Sequence, residues 1–267
     1  MWKRCLFTIA CLYTFVGFFC IDQVSAKSIE IPKMEMLLAH VDERTLVIFD
    51  IDNTILEMAQ ALGSDQWFYH NLEKHRLQGL SSQDALEQLL PIYHTVQNIS
   101  EVRPVEECTP GIIKDLQKKS LTVMALTTRG RETSGATHRQ LHSLGIDMEL
   151  TAPSTRKVSY EIDRKPVEYT DGVLFTSGSH KGKALWRLFA LLDYYPTKVV
   201  FINDKDSHLA PVEETLQEKG IPFIGLRYSA SDAKVLNFRP ELGDIQLRLL
   251  HKILSDSEAE ALLKTTP

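Results

Sequence analysis

The stretch TLVIFDIDNTIL, Thr45 to Leu56, joins an unbroken apolar run to two aspartates one residue apart, Asp50 and Asp52. Continuous rather than alternating hydrophobicity marks a strand buried on both faces, as in a parallel sheet. Ending such a strand in two carboxylates is costly, because each charge loses water and each repels the other. The pattern asks for a cation nearby.

Working outward, three more runs have the same character: Leu121 to Thr127 (LTVMALT), Lys198 to Asp204 (KVVFIND) and Ile221 to Tyr228 (IPFIGLRY). Amphipathic segments separate them. TPGIIKDLQKK reads as a helix with Thr109 as cap and Pro110 in its first turn. Glu132 to Leu144, Lys181 to Leu192 and Asp206 to Lys219 read as helices too, the first and last of these closed by Gly145 and Gly220. Strand and helix in alternation predict an α/β fold with a doubly wound, Rossmann-like parallel sheet.

Two regions break the rhythm. About 56–105 shows no convincing strand, and SSQDALEQLLPIYHTVQ is a helical pattern capped by Ser81 or Ser82 and expected to kink near Pro91. This predicts a small helical insertion directly after the first strand. Val158 to Thr176 predicts an antiparallel excursion with a turn at Asp171-Gly172. Ser255 to Pro267 reads as a frayed helical tail.

Residues 1–26 are of another kind. Lys3 and Arg4 precede an apolar run from Leu6 to Ile21, and Val24-Ser25-Ala26 offers small residues for cleavage. That is the pattern of a secretory signal peptide. The expected organisation is then a leader at 1–26 and one α/β core domain at 27–267 carrying the insertion. Cys5, Cys11 and Cys20 would leave with the leader, so Cys108 alone would remain and no internal disulfide could form. Net charge is -5 without a long basic run, which speaks against a nucleic-acid partner. A secreted or periplasmic protein is expected, with no membrane association after cleavage.

In open α/β sheets, ligands bind beyond the carboxyl ends of the strands. That edge collects Asp50, Asp52 and Thr54, then Thr127, Thr128 and Arg129, then Lys181 at a helix start, then Asn203, Asp204 and Asp206. Hard oxygen ligands in an accessible cleft suit Mg²⁺, which leans on one or two carboxylates plus phosphate oxygens. Asp50 and Asp204 are the natural ligands. A divalent cation, a lysine and threonine hydroxyls together suit a phosphate group.

The motifs add a resemblance. FDIDNTIL resembles the first motif of the haloacid dehalogenase superfamily, DxDx[TV] after a hydrophobic strand. ALTTRG, HKGKAL and FINDKD resemble its second, third and fourth, in the same order. With a leader, FDIDNT is also similar to the secreted class B and class C acid phosphatases, and LGSDQWF with KGKAL looks closer still to an uncharacterised bacterial subgroup. The resemblance implies a magnesium-dependent phosphatase of small phosphomonoesters. Asp50 would be the nucleophile and Asp52 the general acid and base, its main-chain carbonyl also touching the metal. Thr127 would bind a phosphoryl oxygen, Lys181 would neutralise it, and Asp204 would complete the metal site.

Some assignments stay open at this level. Thr128 rivals Thr127, and Lys183 rivals Lys181. Arg129 could clamp an anion or pair with Glu132. Ser207 and His208 stand where the fourth motif often has a second acid, so Asp206 or Asn203 would substitute. The insertion occupies the place of the superfamily's first type of cap, where Asp65 or Gln66 would face the substrate while Trp67 and Phe68 form its core. A phosphotransferase of the same fold and a non-catalytic secreted effector are the competing functions.

Overall fold

The computed structural model describes residues 28–250 and 253–265. The leader expected at 1–26 lies outside them. The framework is one eight-stranded sheet in the order β1-β10-β9-β2-β5-β8-β7-β6. Its strands are β1 (Ile29–Ile31), β2 (Thr45–Phe49), β5 (Thr122–Thr127), β6 (Val158–Ile162), β7 (Lys165–Thr170), β8 (Val173–Phe175), β9 (Lys198–Asn203) and β10 (Phe223–Tyr228). The pairs from β1 through to β8 are parallel; β7 and β6 complete the sheet antiparallel. The fold is α/β and doubly wound, as the apolar runs predict.

The reason is visible in β2, whose five residues are all buried. Val47 and Phe49 pack into one layer with Ile113 and Leu116 of α3 (Thr109–Lys118) and Leu141 of α4 (Ser134–Ser143). Leu46 and Ile48 pack into the other with Leu185 and Leu188 of α5 (Lys181–Leu192) and Val212 of α6 (Asp206–Glu218). A strand covered on both faces cannot alternate apolar with polar residues. Each fully buried aliphatic side chain contributes about 1.5–3 kcal/mol, so this central strand resists displacement.

The winding reverses next to β2. From β2 the chain builds β5 and β8 on one side, then crosses to build β9 and β10 on the other. The boundary between β2 and β9 is therefore a topological switch point, where the connecting loops part and leave a crevice.

Several elements differ from expectation. Between β2 and α3 lie β3 (Leu56–Met58), α1 (Asp65–Leu77), α2 (Ser82–Ile99) and β4 (Val102–Pro104). β3 and β4 pair antiparallel and form a two-stranded stem at the base of the two helices. Three-residue strands are too short to show a period, so the sequence of this segment predicts only helices. Ser81 caps α2 through the Asp84 N–H, and α2 runs on through Pro91 as one element. The excursion spans 158–175, and its last strand, β8, also pairs parallel with β5 and so joins it to the main sheet. A second tight turn, Asp163-Arg164, has both residues at positive φ like Asp171-Gly172.

The C-terminal tail is a correction. Within the expected tail, α9 (Asp256–Thr265) packs on the inserted segment together with α8 (Pro240–Arg248), which follows the short helix α7 (Asp232–Leu236). Leu242, Ile245 and Ala259 bury against Ala61. Gln246 Oε1 accepts from the Leu62 N–H at 2.8 Å and Asp256 Oδ1 from the Ala61 N–H at 3.0 Å. Among the described residues no helix is long and apolar enough to cross a membrane.

Candidate active site

The strand ends at the switch point carry the site. Asp50 follows β2 directly, and its N–H bonds to the Ile202 carbonyl of β9 at 2.9 Å. Asp204 follows β9. Its N–H donates to Thr54 Oγ1 at 3.2 Å, which laces the loop after β2 to the loop after β9. Both carboxylates are buried. Burial, then the charge of Asp50, raises the Asp204 carboxyl to about 7. Burial likewise raises Asp50, against the pull of Lys181.

Lys181 is the first residue of α5, capped by His180, whose Nδ1 accepts from the Lys183 N–H. Its ammonium donates to Asp50 Oδ1 at 2.6 Å and to the Leu126 carbonyl at 3.3 Å. It also lies 5.3 Å from the centre of the Phe201 ring. Lys183 points elsewhere, to the exposed Asp163 at 3.8 Å. Of the two lysines, Lys181 reaches the acidic edge and Lys183 does not.

Asp52 is held by Arg129. Its two oxygens accept from Nε at 2.8 Å and Nη2 at 2.7 Å. Nη1 donates to Thr137 Oγ1 and Gln140 Oε1. Burial works against the guanidinium's charge, but Asp52 more than offsets it and the Arg129 pKa is raised. Its side-chain contacts are thus with Asp52, Thr137 and Gln140, while Glu132 takes Arg131. Four of the five Arg129 side-chain donors are committed to protein partners. The Thr127 hydroxyl accepts from the Arg129 N–H at 3.1 Å and is buried. Thr128 lies half-buried beside a cavity of about 210 Å³ lined also by Tyr69, Ser179, Lys181 and His208.

The inserted segment meets the core at the start of α1. Asp65 pairs with Lys205 at 2.6 Å, and Gln66 Nε2 donates to Asn53 Oδ1 at 3.0 Å. Lys205 also stands 4.6 Å from the Tyr69 ring centre. So Asp65 and Gln66 both reach the site's rim, but each is satisfied by a core side chain. Trp67 is fully buried against Leu89, Tyr93 and Val96, and Phe68 packs beside them. The substitutes for a second acid fare differently. Asp206 is exposed and accepts from Ser28. Asn203 is buried, with Oδ1 on the Lys205 N–H and Nδ2 unpartnered.

The residues present fit a divalent cation of modest demands. Among the described residues no group of three His, Cys, Asp or Glu side chains is placed to hold a metal. Asp50 and Asp204, buried and mutually repelling, supply two carboxylates on adjacent strands, and Mg²⁺ commonly needs no more before waters and phosphate oxygens.

Sequence reasoning missed Asn53, Lys205, Gln97 and Gln140. Asn53 has φ +58 and donates to Asp204 Oδ2 at 3.4 Å. Its place inside DIDNT was a usable signal, because asparagine tolerates the left-handed region that this tight turn needs. Lys205, next to Asp204, was legible by adjacency. Gln97 and Gln140 were not, since nothing local links them to Asp52.

Comparison with known proteins adds three findings. The family model described as protein of unknown function (DUF2608) matches residues 29–260. A Chlamydia pneumoniae protein named "Putative outer membrane protein" is 27% identical over 223 residues, covering 84% of each chain. A Chlamydia trachomatis protein of the same name is 29% identical over 222 residues, covering 83% of each. Among solved structures, a haloacid dehalogenase-like hydrolase from Streptococcus pneumoniae aligns with TM-score 0.43 and 16% identity, over 74% of this chain and 92% of its own.

Proposed function

The chain belongs to the DUF2608 family of proteins of unknown function, and we propose that it is a haloacid dehalogenase-type phosphatase that hydrolyses small phosphomonoesters through an aspartyl-phosphate. One observation carries this reading. Asp50 and Asp204 follow the adjacent strands β2 and β9, Thr127 ends β5 on the other side of β2, and Lys181, from a distant segment, lies 2.6 Å from Asp50. A merely structural ion pair accounts for Lys181 and Asp50, but not for a second buried carboxylate at 204.

The chemistry follows from the groups. A free oxygen of Asp50 attacks phosphorus; the Asp50–phosphorus bond forms as the bond to the leaving oxygen breaks. Each Asp52 oxygen keeps a second lone pair beyond its Arg129 contact; protonated there from solvent, Asp52 gives its proton to the leaving oxygen, then takes one from the water that attacks the aspartyl-phosphate. Phosphate leaves, and the Asp50 carboxylate returns. Lys181 and the Thr127 hydroxyl hold the phosphoryl oxygens while charge builds on them. A magnesium ion held by Asp50, Asp204 and the Asp52 carbonyl would supply further charge neutralisation. The inserted helices act as the cap: Asp65, Gln66 and Tyr69 border the mouth and limit which leaving groups enter.

The apolar leader and the names of the chlamydial relatives support an exported protein of the cell envelope or beyond. Ser207 and His208 in place of a second acid favour one other reading, a binding protein with little turnover. Phosphate release from p-nitrophenyl phosphate by the mature chain, with magnesium and with a chelator, separates the two. Release that needs magnesium and vanishes in Asp50→Asn supports the phosphatase. No release from a broad panel of phosphomonoesters supports the binding protein.

A further inference from the structure

We propose that Arg129 is a positioning residue for Asp52, and that Gln140 and Gln97 make this orientation depend on helix α2 of the inserted segment. The inference rests on the reading of Asp52 as the proton-transferring group.

Arg129 is enclosed, its side chain 2% exposed. Four of the five N–H bonds of a guanidinium are taken: two by Asp52, one by Thr137 and one by Gln140. A planar fork with both outer positions anchored fixes the plane of the carboxylate it grips. Thr137 is itself held, its hydroxyl donating to the Thr133 carbonyl. Gln140 is held from the far side: Nε2 donates to the Gln97 carbonyl and to Gln97 Oε1, both at 3.2 Å. Gln97 Nε2 donates to the Gly63 carbonyl at 2.7 Å.

The chain of contacts does not stop there. Gly63 precedes Ser64, which caps α1 through the Trp67 N–H. The first turn of α1 carries Gln66, which returns to Asn53, the neighbour of Asp52. The polar groups thus form a closed circuit through core and insertion. Gln97 and Gln140 are both essentially inaccessible to solvent. Buried amides in such a circuit must find partners or lose the hydrogen bonds they had in water, so each member fixes the next. Arg139 on α4 adds bonds to the carbonyls of Gln97 and Ser100, pinning the end of α2 to the core. The insertion is clamped on this flank, and its placement and the aim of Asp52 are one arrangement.

A proton donor matters most for poor leaving groups, since a stable leaving anion departs unaided. Arg129→Lys keeps the charge but loses the two-point grip. Gln97→Met keeps volume and removes the link to α2 without touching Asp52. Steady-state rates should be taken on an alkyl phosphate and on p-nitrophenyl phosphate. We expect kcat/KM on the alkyl ester to fall about 100-fold in Arg129→Lys and about 10-fold in Gln97→Met, with much smaller losses on the aryl ester. Equal losses on both esters, or none, would overturn the inference. A second readout needs no turnover. The Arg129 Nε–H should give a slowly exchanging NMR signal that exchanges much faster in Gln97→Met. An unchanged signal contradicts the coupling. A wild-type chain that releases phosphate from neither ester refutes the proposed function and the catalytic half of this inference, while the NMR signal still decides the coupling.

Discussion

Lys181 Nζ stands 2.6 Å from Asp50 Oδ1, although the two are 131 positions apart in the chain, and both side chains are nearly closed to solvent. Removing one partner of a buried pair strands the other, at a typical cost of about 3–5 kcal/mol. Lys181→Met should therefore lower stability in urea by roughly that amount. Asp50→Asn keeps an acceptor at the same place and should cost less while abolishing phosphate release. Equal stability loss in the two variants would deny the pair this role.

Gly182 follows Lys181 where α5 crosses α6. A Cβ there would sit 2.1 Å from the Pro211 carbonyl oxygen and 2.3 Å from Thr215 Oγ1. The first contact is backbone and cannot swing aside, so the helices must part. Gly182→Ala should cost about 1–3 kcal/mol and shift the start of α5, which carries Lys181. Activity and melting temperature should fall together. An active, wild-type-stable variant would mean the helix crossing is looser than drawn.

The Asp204 carboxyl, raised to about 7 in the fold from 3.8 in the open chain, predicts a pH trend for the metal-free protein. The folded state keeps this proton longer than the unfolded state. Its contribution is thus intact below about 4 and is lost as pH rises through 7. In chelator, the stability difference between wild type and Asp204→Asn should grow more unfavourable to wild type from pH 5 to pH 8. Magnesium should offset that trend in wild type only, by up to about 2.7 kcal/mol at 100 times its Kd. A difference that stays flat with pH would remove Asp204 as a strained carboxylate.

His208 titrates with the opposite sense. Burial, then Lys181 and Lys205, lowers its imidazole to about 3, below the ordinary 6.5. The unfolded chain takes up that proton first, so stability is lost as pH falls from about 6.5 toward 3. His208→Gln should melt less steeply with acid than wild type. The two trends are separable because each disappears with its own variant.

Asp65 and Lys205 join insertion and core at the rim, 17% and 32% exposed in their side chains. A pair this open is worth no more than about 1 kcal/mol, so Asp65→Ala should barely change stability. KM should change while melting stays put, because Lys205 would be freed to meet substrate and α1 would lose one tie. A large drop in melting temperature would make the pair structural instead.

The runs around Val47, Met124 and Val200 declared themselves because a strand covered twice leaves no room for polar residues. Asp50 and Asp204 stood out for the same reason, as carboxylates at the ends of apolar runs, and Lys181 stood out at a helix start. The stem of β3 and β4 was hidden by its brevity, and β1 by sitting at an edge. The last helix read as tail because the burial of Ala259 depends on Ala61, far upstream. The grip of Arg129 on Asp52 was invisible for a related reason. An arginine after TT suits an anion as well as a carboxylate, and only the approach of α4 and α2 decides between them.

The central claim is that Asp50 carries the phosphoryl group. Asp52→Asn protein lacking residues 1–26, mixed with p-nitrophenyl phosphate and magnesium and quenched in acid, should accumulate a phosphoryl group, because the leaving anion departs unaided while the later hydrolysis lacks its base. Peptide mass spectrometry should place it on Asp50. Phosphate release by the wild-type chain, with the label on another residue or on none, would contradict the account.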